Sequence, residues 1–229
     1  MKFLTLLKKD IKDAIPWIIG SIMLLYALCW FCIRMKLYGM SQEGYVIFKN
    51  GEVINQYNIF KSDILQEPAD IMFFITILLG LALGFIHFWM PGIRRTWQFL
   101  IHRSANRSTI ITSKLSVAAM MVICMSLAWL LLAGVVSKSK SIIIPPDIGI
   151  IHLGVFYAFL GFIAYLSIAL SALTRARWYA TKLFGLYFAF VIYILIISQV
   201  NPYRALFISI LAFVILIVQL YQVFLKREF

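Results

Sequence analysis

Apolar residues gather into six runs along the chain: Pro16–Ile33, Ile71–Met90, Ile110–Val136, Gly149–Leu173, Trp178–Val200 and Ala205–Leu225. Each run is near or above the ~20 residues that a helix needs to cross the hydrocarbon core. Helices are the expected form because each satisfies its own backbone hydrogen bonds where no water is present. The pattern therefore predicts an all-α polytopic membrane protein with six transmembrane helices. Asn201-Pro202-Tyr203-Arg204 is a turn signal between the last two runs, so those helices should form a tight hairpin. The longest polar stretch is Arg34–Asp70, which leaves no room for a separate soluble domain. Residues 1–229 read as a single transmembrane domain.

The first fifteen residues carry a different pattern. Phe3, Leu4, Leu7, Ile11, Ala14 and Ile15 recur at helical spacing, and Lys8, Lys9, Lys12 and Asp13 take the other side. Such a basic amphipathic helix lies in the headgroup plane, so residues 1–15 are expected to be interfacial. The alternative is a solvated extension of the first span. Pro16 is expected to break this helix and start the first crossing. The segment mixes charges of both signs, and no small-residue cleavage site follows the apolar run, so it is not expected to be a cleaved signal peptide. In the 34–70 segment, Tyr45-Val-Ile-Phe48 and Val53-Ile54 flank Lys49-Asn50-Gly51-Glu52. Asn-Gly between β-type runs is a hairpin signal, so a small β element is one expectation and an irregular loop the other.

Composition agrees with a lipid environment. Of 229 residues, 63% are hydrophobic and 13% charged, against about 45–50% and 25% in soluble domains. The net charge of +12 does not point to nucleic acid, because the basic residues lie in short links between apolar runs. That distribution sets topology. With the N-terminus inside, 14 of the 21 Lys and Arg residues fall in inner segments and 7 in outer ones. Both termini are thus expected in the cytoplasm, and the chain in the cell (inner) membrane, with 34–70 as an extracytoplasmic loop.

Candidate chemistry is sparse. No phosphate-binding loop, dinucleotide turn, HExxH or GxSxG is present. No catalytic, cofactor or metal site is expected, and the chain is not expected to be an enzyme. Cys29, Cys32 and Cys124 all lie in apolar runs and read as packing residues rather than a disulfide or redox pair. His87 lies near the inner end of the second span. It reads as a histidine hydrogen-bonded to a neighbour, with metal ligation as the alternative. No charged residue falls mid-span, which argues against coupling to an ion gradient. Gly80-Leu-Ala-Leu-Gly84, and Gly154, Gly161, Ser167 and Ser171 of the fourth span, are small residues that permit close helix approach. The Gly80/Gly84 face is expected to meet a second copy.

The link after the second span is the most informative. It runs from Arg94 to Lys114 without an acid. Thr96 should begin a short amphipathic helix with Trp97, Leu100 and Ile101 on one side. Ser104-Ala105-Asn106-Arg107 is a turn able to cap the next helix. Here the chain resembles the membrane subunits of ATP-binding-cassette transporters of the type 2 exporter class. Their link typically reads Gly-Thr, leucines, Pro, a small residue, Ser, Arg, aliphatics and Lys. This sequence matches in register at Thr96, Leu100, Arg107, Ile110, Ile111 and Lys114, with Asn106 in the Ser position. It departs at Ser104, where the family has Pro, and at Arg95 in place of Gly, and it lacks the usual upstream acid. The six spans, the N-terminal helix and the large first outer loop are also similar to that family.

The resemblance implies a permease half that couples ATP hydrolysis by separate subunits to export of a hydrophobic or amphipathic substrate such as a lipid, peptide or drug-like molecule. Mechanical signalling across the membrane is the other possibility within it. Two cytoplasmic ATPase subunits would bind ATP and Mg, so this chain would hold no cofactor itself. A second permease copy or a homologue would complete the path. Membrane lipids and an extracytoplasmic partner are further expected contacts, and nucleic acid is not. Residues 94–109 would be the coupling segment, with Arg94, Arg95, Thr96, Trp97, Leu100, Ile101, Arg103 and Arg107 at the ATPase contact. The competing readings are that the arginines only anchor topology, and that the chain is a membrane-embedded scaffold or regulatory subunit with no ATPase.

Overall fold

The computed structural model describes residues 2–43, 46–49, 52–55, 61–93, 106–138, 148–174, 183–198 and 202–226. Helix α1 (Lys2–Glu43) is followed by a two-stranded hairpin of β1 (Val46–Lys49) and β2 (Glu52–Asn55). Next come α2 (Lys61–Gly84), a π-helical turn (Phe85–Trp89) and the short α3 (Met90–Ile93). The remaining helices are α4 (Arg107–Lys138), α5 (Ile148–Leu173), α6 (Phe184–Ile197) and α7 (Pro202–Lys226). The strands pair antiparallel with Lys49 opposite Glu52, where the Asn-Gly signal placed a turn.

Among the described residues, five stretches are long and apolar enough to cross a membrane: Phe3–Met35, Leu65–Ile93, Arg107–Val136, Gly149–Leu173 and Pro202–Leu225. The chain is thus an all-α, multi-pass membrane protein in its helical body. The fifth apolar run of the sequence is described as a helix only over Phe184–Ile197, 14 residues. At 1.5 Å per residue that is about 21 Å.

The N-terminal helix differs from expectation. α1 runs without interruption through Pro16, so the amphipathic segment and the first span are one rod rather than two. The buried face explains this. Asp10, Ala14, Ile18, Leu25, Cys29 and Ile33 lie four or seven apart and are all buried, a single stripe continuing past Pro16. Pro16 itself is exposed, so its cost falls on the helix's own backbone, as one missing hydrogen bond and the crowding of its ring against the carbonyl four residues earlier. Leu4 and Ile15, expected on the apolar face, are exposed, and Asp10 is buried instead.

α5 is the central post. Its residues from Ala158 to Leu173 are almost all buried, and small residues set how closely the others approach. A Cβ on Gly80 would overlap the carbonyl of Gly161, and one on Gly84 would overlap Ile168. The close neighbour of the GxxxG face is therefore α5 of the same chain, not the second copy expected from the sequence. Gly154 receives the indole of Trp129 from α4, and the Trp129 Nε1–H donates to the Ile151 carbonyl at 3.2 Å. Gly185 of α6 packs on the Ser167 carbonyl. Ser171 Oγ accepts the Leu186 N–H at 3.2 Å, and the Tyr193 hydroxyl donates to the Leu160 carbonyl at 2.9 Å. Thus α6 runs antiparallel to α5. On α7, Ala205, Ser209, Ala212, Leu216, Leu220 and Phe224 form the buried stripe.

Candidate functional site

The buried charged side chains among the described residues meet at one place. Asp10 of α1 meets Ser113 and Lys114 of α4. Ser113 Oγ donates to Asp10 Oδ2 at 2.6 Å, and Lys114 Nζ donates to Asp10 Oδ1 at 3.3 Å. The Asp10 and Lys114 side chains are only 10% and 6% exposed. Two charges so far from water demand each other, because leaving either one unpaired costs several kcal/mol. Here each carboxylate oxygen has its own donor, and the Lys114 ammonium also lies 5.8 Å from the centroid of the Phe88 ring.

The cluster continues into α5 and the π-helical turn. The Tyr165 hydroxyl donates to the Lys114 carbonyl at 3.0 Å, and His87 Nδ1 lies 3.0 Å from the same hydroxyl. A tyrosine hydroxyl has a single hydrogen. With that hydrogen on the Lys114 carbonyl, His87 Nδ1 must donate, which places the ring proton on Nδ1. Nε2 is then left as a bare acceptor. It is buried and makes no hydrogen bond among the described residues. The π turn widens the helix at Phe85–Trp89 and carries both His87 and Phe88 into the interior; such turns recur at functional sites.

The site is interior to the helix bundle, near the N-terminal ends of α1 and α4. Lys114, read from sequence as a boundary residue, is buried, and its ion pair with Asp10 was not anticipated. His87 has the hydrogen-bonded neighbour expected of it. Metal ligation gains no support: no group of three or more potential metal-ligating His, Cys, Asp or Glu side chains occurs among the described residues.

A second polar tie lies nearby. Arg107 Nη1 donates to the Leu225 carbonyl at 2.9 Å, so the start of α4 meets the end of α7. The N-terminal part of α1, the start of α4 and the end of α7 thus share one end of the bundle. Of the residues assigned to the coupling segment, Arg107 is placed here. Arg94, Arg95, Thr96, Trp97, Leu100, Ile101 and Arg103 lie outside the described residues. Comparison with protein families, curated proteins and solved structures finds no match to this chain.

Proposed function

We propose that this chain is the membrane half of a transporter powered by separate ATP-hydrolysing subunits, of the type 2 ATP-binding-cassette exporter class. The observation that carries the reading is the anchoring of the basic link. His87 is seven residues before Arg94, and Lys114 seven beyond Arg107. Tyr165 bridges the two, and Asp10 joins α1 to the same point. A force applied to the link between them reaches α1, α2, α4 and α5 together. A coupling segment requires such a base; a passive tether does not.

In this reading α6 and its flanking residues make a sixth crossing, which agrees with the ends of α1 and α7 sharing one end of the bundle. The Lys and Arg bias supports a cytoplasmic position for that end. Trp97, Leu100 and Ile101 enter a cleft on the ATPase, while Arg94, Arg95, Arg103 and Arg107 meet acids at its rim or inner-leaflet phosphates. Two ATPase subunits hold ATP and Mg, and a second membrane half completes the assembly. The cargo is a hydrophobic or amphipathic molecule, or the output is mechanical motion delivered to a partner outside. Purification from native membranes in mild detergent tests the reading. A nucleotide-hydrolysing subunit should copurify in equal stoichiometry, and its absence in both detergent and nanodiscs would leave a scaffold role.

A further inference from the structure

We propose that His87 Nε2 is a proton-binding site inside the membrane domain, and that its occupancy is read by α1 through Asp10. The inference rests on the fold alone and not on the transporter reading.

The hydrogen-bond chain favours one tautomer of the ring. Tyr165 gives its only hydrogen to the Lys114 carbonyl, so Nδ1 donates to Tyr165. Nε2 remains a lone pair, sealed in a residue that is 2% exposed and unbonded among the described residues. A buried acceptor with nothing to accept is costly unless something visits it. The group that fits without rearranging the packing is one proton.

The surroundings make that proton consequential. The charged and titratable groups facing the ring are Asp10 of α1, Lys114 of α4 and Tyr165 of α5, with Lys9 and Asp13 of α1 acting on Lys114. With a neutral imidazole, the Asp10 carboxylate and the Lys114 ammonium cancel. Adding a proton at Nε2 leaves the cluster with one uncompensated positive charge in a buried place. The imidazolium then competes with Lys114 for the one carboxylate and repels the ammonium. Asp10 is the only buried charged residue of α1 among those described, so weakening its bond to Lys114 loosens the N-terminal turns of α1 from α4, with the Ser113 bond to Asp10 left to hold them. The product is a proton-dependent position of that segment.

The test uses the full chain in lipid nanodiscs with ¹⁵N-histidine, and with His102→Gln and His152→Gln so that only His87 reports. At alkaline pH the ring should carry its proton on Nδ1 alone. Lowering the pH should protonate Nε2 while Nδ1 keeps its proton. Spin labels at Lys12→Cys and Ser116→Cys, both exposed, with Cys29, Cys32 and Cys124 replaced by Ala, should report a longer distance over the same pH range. His87→Gln keeps a donor toward Tyr165 but cannot titrate, and should make that distance independent of pH. A neutral ring protonated on Nε2, a ring that never titrates, or a titration that leaves the distance unchanged would each overturn the proposal. Should His87→Gln fail to assemble, the two measurements without that substitution decide.

Discussion

Asp10 and Lys114 are 104 positions apart in the chain and meet at 3.3 Å, in a place almost closed to solvent. This contact joins the first helix to the helix that follows the basic link. Removing one partner leaves a buried charge alone. Asp10→Asn or Lys114→Gln should each cost about 3–5 kcal/mol, whereas the double substitution should cost much less than the sum. Thermal unfolding in detergent, arranged as a double-mutant cycle, measures this. Additive losses would show that the two side chains do not depend on one another.

The contact of α2 with α5 predicts a contrast among glycines. A Cβ on Gly161 would meet the Thr76 carbonyl at 2.6 Å, whereas one on Gly20 would meet nothing within 4 Å. Gly161→Ala should therefore destabilise by about 1–3 kcal/mol by forcing the helices apart. Gly20→Ala should be neutral or gain up to ~1 kcal/mol from helix propensity. Comparing the unfolding midpoints of the two variants checks the contrast, and equal effects would contradict the packing.

Trp129 is fully buried and fits over Gly154 while its Nε1–H donates to the Ile151 carbonyl. Trp129→Ala should cost about 3–5 kcal/mol. Trp129→Phe should cost less, because it keeps much of the apolar volume and loses the hydrogen bond. Intrinsic fluorescence of the wild type should show a blue-shifted component from this buried indole that is absent in both variants.

The small residues of the fourth apolar run were legible in the sequence. Gly154, Gly161, Ser167 and Ser171 each meet a neighbouring helix. What the spacing could not tell was which helices they meet, since a small side chain permits approach without choosing a partner. The site was less legible for a different reason. Lys114 followed a run of basic residues and read as part of the boundary, and Asp10 lay within an amphipathic stretch. Their pairing requires α1 to pass straight through Pro16, a point at which proline normally argues for a break. The π turn that brings in His87 has no marker in Phe85–Trp89 that a reader of the sequence could use. The hairpin was readable because Asn-Gly is local chemistry.

The most direct test of the proposed transporter role is nucleotide hydrolysis by the complex purified in nanodiscs, with its response to cargo or to an outer partner, measured for Trp97→Ala and Leu100→Asp beside the unaltered chain. An aromatic anchor commonly dominates such an interface, so Trp97→Ala should weaken partner binding by ~2 kcal/mol or more. Both variants should insert normally, lose the ATP-hydrolysing subunits on purification and abolish the coupled response. Full retention of the partner and of coupling in both would contradict the account and reduce the basic link to a topological tether.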